Sequence, residues 1–490
     1  MKKRISAGCT FATLAWSSLT SAGLAPPPAA RIVPHAGELE LAPCKIPDLE
    51  NNPRDMLCGT YHVYENLRTR KGRTLPLKVV KVPARSGASQ GAIFVLAGGP
   101  GDAATDYASF IPFTWENENH DVVLVDQRGT GLGNSLDCKV WAPGEPLQNY
   151  FRTGVDSLLA CQKELQKVAD LSQYSTPNFL RDMDDVRGAL GYDKIILRGG
   201  SYGSRAAIAY IKMFEPRVRM AILTGLAPFE NRLDLYTPQA TQLAIEALFA
   251  DCAADPTCKA AYPDLLEDLA EVRKRLQQQP AKVQVKHPRT GATQEVVLTE
   301  RWFSRLLAER LEDLGESRKI PWLLQRARAG DFTDLAQERL AGSGQGKARG
   351  LRAAVLCTED TARIGMEELE RETSRTFSDR GMHESLYLCA KWTETDLPRD
   401  YFQPFRSSVP TLLISGDRDP LTPPRWGEVT RASLPNSLHL VVPAAHSFPR
   451  HPCMRTIGQQ FLRSGKVEAL DTSCISSIPK PPFVLPPKGQ

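Results

Sequence analysis

Leu197-Arg198-Gly199-Gly200-Ser201-Tyr202-Gly203-Ser204 follows the apolar run Lys194-Ile195-Ile196-Leu197 and opens into a helix-like segment. The pattern is G-x-S-x-G between a strand and a helix. In such an elbow the serine takes a strained backbone conformation with its Oγ exposed, and the flanking glycines remove Cβ atoms where the helix meets the strand. Ser201 is therefore a candidate nucleophile. Five residues with three fixed letters also recur by chance, so the rest of the chain decides the reading.

Downstream, Val409-Pro410-Thr411-Leu412-Leu413-Ile414-Ser415 reads as a buried parallel strand. It runs into Gly416-Asp417-Arg418-Asp419-Pro420, a turn that places two carboxylates at the strand's C-terminal end. Ser437-Leu438-His439-Leu440-Val441-Val442 reads as another strand, followed by Pro443-Ala444-Ala445-His446-Ser447. Catalytic groups of an open α/β sheet belong at those strand ends. Of eight histidines, three follow the acidic turn. His439 lies inside a strand and reads as a packed or edge residue, and His451, before a proline and near Cys453, reads as structural or exposed. His446 is left as the candidate base. Asp417 and Asp419 compete for the acid, and the turn-capping role ahead of Pro420 is assigned to Asp417. Upstream, Ala92-Ile93-Phe94-Val95-Leu96 ends in Ala97-Gly98-Gly99-Pro100-Gly101. Backbone N–H groups of such a loop, with that of Tyr202, can hold the charge of a tetrahedral intermediate.

Two β-rich runs between residues 59 and 82 predict an antiparallel start to the sheet. From 91 to about 228, strands alternate with helical stretches such as 155–171 and 178–190, which implies right-handed crossovers and a mostly parallel sheet. Residues 229–400 carry helical periodicity (241–254, 265–278, 300–312) and predict a helical cap or lid inserted between a first core part, 26–228, and a second, 401–490. Gly342-Ser343-Gly344-Gln345-Gly346 reads as a mobile loop and 479–490 as an extended, proline-rich tail. Gly129-Thr130-Gly131-Leu132-Gly133 has its third glycine one residue early for a dinucleotide loop, so it reads as a structural turn.

The 490 residues exceed the usual size of one compact domain, and 42% hydrophobic with 24% charged residues is ordinary for a soluble globular chain. Lys2-Lys3-Arg4, an uncharged stretch from Ile5 to Ala25 and then Pro26-Pro27-Pro28 have the layout of a secretory signal peptide, residues 1–25. That stretch is too polar and short for a membrane anchor. Without those three basic residues, 58 basic side chains face 56 acidic ones, a balance that calls for neither nucleic acid nor an anionic membrane. Apart from Cys9, ten cysteines remain, an even number that suits an oxidising compartment. Their spacing suggests five local pairs: Cys44/Cys58, Cys138/Cys161, Cys252/Cys258, Cys357/Cys389 and Cys453/Cys474. No C-x-x-C, H-E-x-x-H or cysteine-histidine cluster occurs, so no metal site is expected.

Gly98-Gly99-Pro100-Gly101, Asp126-Gln127-Arg128-Gly129-Thr130-Gly131, Gly199-Gly200-Ser201-Tyr202-Gly203, the Gly416 to Pro423 turn and His446 together resemble the prolyl iminopeptidase and tripeptidyl aminopeptidase family. The resemblance implies an α/β-hydrolase fold with helices on both faces of the sheet and a cap. It also implies a Ser201, Asp419, His446 triad with Asp419 as the acid, oxyanion donors at Gly99 and Tyr202, and no cofactor. Ala97 stands where prolyl iminopeptidases usually carry histidine, which leans toward the secreted tripeptidyl branch. In the cap, Ala354-Val355-Leu356-Cys357-Thr358-Glu359-Asp360 resembles a family motif whose acid, Glu359 here with Asp360 second, would anchor a substrate ammonium. The implied function is an exported serine aminopeptidase acting on peptides. The alternatives are an esterase on small esters and a hydrolase-like binding protein without catalysis. Oligomeric state is not legible.

Overall fold

The computed structural model describes residues 37–486, apart from 112–113, 139–153, 288–290, 342–347, 379–380 and 449. The signal-like stretch and the glycine-serine loop 342–346 lie outside the described residues. Among the described residues eleven strands form: β1 (Ala42–Pro47), β2 (Pro53–Tyr64), β3 (Thr74–Val82), β4 (Ala92–Leu96), β5 (Asp121–Val125), β6 (Ile195–Gly200), β7 (Val218–Thr224), β8 (Ala281–Lys286), β9 (Thr293–Leu298), β10 (Thr411–Gly416) and β11 (Ser437–Val442). Nine of them make one sheet in the order β1-β2-β3-β5-β4-β6-β7-β10-β11. Pairs from β1 to β5 along that order are antiparallel, and from β5 to β11 all are parallel.

The central strands are apolar on both sides because both faces are covered. Successive residues point to opposite faces. Phe94, Val123, Leu197 and Leu223 thus join one cluster, with the helices Thr176–Ala189 and Tyr202–Phe214, while Ile93, Val122, Ile196 and Ile222 join another, with Ile457 and Phe461 of the helix Pro452–Ser464. The turn after β5 is structural, as expected. Gly129 and Gly131 have φ of 84° and 65°, and the fully buried Arg128 ion-pairs with Asp182 at 2.7 Å.

Between β7 and β10 the inserted segment is mainly helical, with two departures from expectation. β8 and β9 form an antiparallel hairpin whose Val285 and Val296 pack on Ala336 and Leu340. The insertion also has two environments. Residues between Ala244 and Leu335 build a hydrophobic cluster of their own, whereas Leu351, Ala354, Val355 and Cys357, from the helix Arg349–Glu359, pack into the cluster on the sheet. At its root, the Phe229 ring stacks edge-on with Tyr401 at 5.0 Å, so the two ends of the insertion meet.

All five sequence-neighbouring cysteine pairs are disulfides. The tail expected to be merely extended is a strap across the molecule. Lys480 ion-pairs with Asp417 at 3.1 Å, Phe483 lies under the Arg318 guanidinium at 4.2 Å, and Val484 is held by the Arg318 carbonyl and the Tyr262 hydroxyl. No described helix is long and apolar enough to cross a membrane.

Candidate active site

Ser201 stands between the end of β6 and the helix Tyr202–Phe214, with φ 57° and ψ −128°. A residue with a Cβ seldom adopts that region. Its surroundings hold it there: the Ser201 N–H donates to the Thr224 carbonyl at 3.0 Å, and the Ser201 carbonyl accepts from Ser204 N at 2.9 Å and Ser204 Oγ at 2.6 Å. A Cβ on Gly199 would run into the Gly203 carbonyl, and one on Gly203 into the Leu96 carbonyl. Only glycine fits either place.

The chain leaves β7 through Gly225, at φ 55°. A Cβ there would stand 3.2 Å from His446 Cε1 and 3.0 Å from Thr422 Oγ1. The imidazole therefore rests against the residue next to Thr224, whose carbonyl binds Ser201, and the serine and histidine share one end of the parallel strands. His446 Nδ1 donates to Asp419, 2.9 Å from Oδ2 and 3.1 Å from Oδ1. That bond fixes the tautomer, with the proton on Nδ1 and Nε2 left as acceptor.

Asp419 is enclosed and richly supplied with donors. Its Oδ1 accepts from Leu421 N and Thr422 N, both at 2.8 Å, and its Oδ2 from Thr422 Oγ1 at 2.7 Å. Burial by itself would raise this carboxyl, but the neighbouring His446 and the Thr422 donors outweigh it and hold Asp419 below the usual carboxylate range. The turn-capping role given to Asp417 is thus corrected, since Asp419 caps the turn as well as meeting His446. Asp417 instead accepts from Ala444 N at 3.2 Å, clasping the His446 loop to the acidic turn. A Cβ on Gly416 would strike the Ala444 and Ala445 carbonyls, so that glycine permits the close approach. His439 and His451 are structural, as expected: His439 is bonded to Glu428 and Ser415, and His451 caps the helix Pro452–Ser464.

Gly98 packs on the nucleophile, since a Cβ added to it would lie 3.8 Å from the Ser201 Cβ. The loop is pinned by Gly98 N donating to the Tyr107 hydroxyl at 3.2 Å and by Arg352 donating to the Gly99 carbonyl at 2.7 Å. Tyr202 heads its helix, where a backbone N–H has no intrahelical acceptor. Its side chain is buried, with the hydroxyl 2.6 Å from Thr176 Oγ1 and accepting from Gln127 Nε2 at 3.2 Å.

The cap acids are placed differently from expectation. Glu359 is fully buried, with Oε1 accepting from Thr176 N at 2.8 Å and Oε2 from the Tyr401 hydroxyl at 2.9 Å, and burial pushes its carboxyl up. Asp360 ion-pairs with Arg205 at 2.5 Å and accepts from Leu233 N at 3.2 Å. Glu359, with Asp360 second, was expected to anchor a substrate ammonium; both carboxylates are buried and bonded within the protein, where they fasten the insertion to the core. Sequence reasoning missed Thr422, Gly225, Tyr107 and Arg352. Of these only Thr422 lay within a quoted motif.

Residues 91–449 match the family described as alpha/beta hydrolase fold, and the chain belongs to that family. The protein is a serine hydrolase. It is similar to the serine protease Hip1 of Mycobacterium tuberculosis, with 25% identity over 468 residues covering 84% of this chain and 88% of that protein. It is also similar to the tripeptidyl aminopeptidase of Streptomyces lividans, with 22% identity covering 88% and 86% of the two chains. The solved structure of an esterase from Exiguobacterium antarcticum aligns with 86% of this chain and 99% of its own, at 13% identity and a TM-score of 0.34.

Proposed function

We propose that the protein is an exported serine aminopeptidase that hydrolyses short peptides from a free N-terminus. The observation that carries this reading is the Asp419–His446 pair resting on Gly225, beside the strained Ser201. Ser201 Oγ attacks the scissile carbonyl while His446 Nε2 takes its proton. Asp419, held ionised, stabilises the imidazolium and keeps it oriented. The oxyanion is held by the N–H groups of Gly99 and Tyr202. His446 returns the proton to the leaving amine as the C–N bond breaks, and water, deprotonated by the same imidazole, hydrolyses the acyl-enzyme and frees Ser201. The protease and aminopeptidase relatives favour a peptide over an ester substrate, and five disulfides favour an oxidising compartment.

The test is a parallel assay on peptides with free N-termini, the same peptides N-acetylated, and small neutral esters. The expected order of kcat/KM places the free-amine peptides first. Turnover of esters with no cleavage of any peptide overturns the reading in favour of an esterase.

A further inference from the structure

Glu359 and Asp360 are fully buried, which sets a half-buried acid nearer the nucleophile apart from them. That acid is Asp102, beside the oxyanion loop. A Cβ built on Gly98 would be 3.6 Å from Asp102 Oδ2, 3.6 Å from the Gly200 carbonyl and 3.8 Å from the Ser201 Cβ. The carboxylate and the serine thus both flank Gly98 of the oxyanion loop. Asp102 is half-buried, in contrast to the enclosed Asp419 and Glu359.

We propose that Asp102 is the specificity residue for the free amine: its carboxylate ion-pairs with the α-ammonium of the residue whose carbonyl Ser201 attacks. The proposal rests on the aminopeptidase reading above. Reach sets the choice of ammonium. In a substrate releasing one residue, the amine is separated from the scissile carbonyl by the α-carbon alone, within range of a group that flanks Gly98 together with Ser201. Each further residue carries the amine about 3.3–3.6 Å away. Charge sets the selectivity. A carboxylate beside an oxyanion opposes the negative charge that develops there, and a bound ammonium cancels that opposition. Free-amine substrates are favoured by Asp102, and blocked or neutral ones are penalised by it.

That double effect gives opposite signs in one experiment. Asp102→Asn is assayed on an aminoacyl p-nitroanilide, its N-acetyl form and a small neutral ester, with the aminoacyl substrate also extended to a tripeptide. The expected result is an increase in KM for the aminoacyl substrate of about tenfold or more, a smaller effect on the tripeptide, and a gain in kcat/KM on the acetylated substrate and the ester. Asp102→Glu restores part of the aminoacyl KM, and Asp102→Ser serves if the asparagine variant does not fold. Equal losses on charged and neutral substrates, or an effect largest on the tripeptide, overturn the assignment while the aminopeptidase reading stands. A wild-type enzyme that hydrolyses esters and no free-amine substrate overturns both.

Discussion

Ser201 occupies a backbone conformation that its neighbours alone make tolerable, and its hydroxyl carries the proposed chemistry, so structure and activity separate cleanly at this residue. In Ser201→Ala the elbow keeps its backbone bonds to Thr224 and Ser204, while kcat on a peptide substrate falls by several orders of magnitude, to the level left by binding and the oxyanion donors. Activity above about a tenth of wild type contradicts the nucleophile assignment. Asp419 makes a pH-dependent prediction. Its folded carboxyl lies below the ordinary value of 3.8, so the stability it contributes is present above that value and is lost as pH falls through the folded one. The stability gap between wild type and Asp419→Asn, read from urea melts, is therefore widest above about pH 4 and closes at lower pH. A gap constant with pH shows that the carboxylate charge contributes nothing. Ser201, Asp419 and His446 were legible because motif letters and strand ends mark them. The direction of the cap acids was not, because whether Glu359 faces a substrate or a tyrosine hydroxyl depends on contacts between segments far apart in the chain.

At the scale of elements, β4, β5, β6, β7 and β10 announce themselves through short, mostly apolar runs, the pattern of strands covered on both faces. β1 carries two prolines, an alanine and a lysine in its exposed positions, so nothing in its sequence marks a strand. It exists at the sheet edge, where proline costs no ladder bond, and Cys44–Cys58 fastens it to β2. The helix Leu233–Ala254 begins well before the expected residue 241 because Pro238 looks like a break. Leu235, packed on Leu369 and Met382, holds the first turns in place. The β8–β9 hairpin left a period-two trace in Val283 and Val285 that the surrounding helical periodicity obscured. The nucleophile elbow is the element with least tolerance. Gly203→Ala forces a Cβ onto the Leu96 carbonyl, which belongs to a central strand and cannot yield. The expected cost is about 2–4 kcal/mol in thermal or urea unfolding, and a variant as stable as wild type shows that β4 and the helix do not meet as described.

Across the whole molecule, the insertion is fastened to the sheet from several directions: Arg418 to Asp251 at 2.9 Å, Ser447 N to the Glu312 carbonyl at 2.9 Å, and the C-terminal strap through Lys480, Phe483 and Val484. Ending the chain after Ile478 removes the strap and spares the buried isoleucine. The expected result is a Tm lower by a few degrees, about 2–4 °C for each kcal/mol lost in a large domain, and faster protease cleavage between residues 244 and 335. An unchanged melt and digest refute the fastening role. The two-part insertion was unreadable in the sequence, because both parts carry helical periodicity and what each packs against is set by contacts between segments far apart in the chain. The pairing of β7 with β10, Ala221 opposite Thr411, has a further bearing on how the protein is made. A chain that emerges N-terminus first displays the elbow serine long before the segment bearing Asp419 and His446 has been synthesised. On the proposed chemistry, the nascent peptidase is inert toward its maker and its neighbours until the segment bearing Asp419 and His446 has arrived, and biosynthesis itself acts as the safety catch.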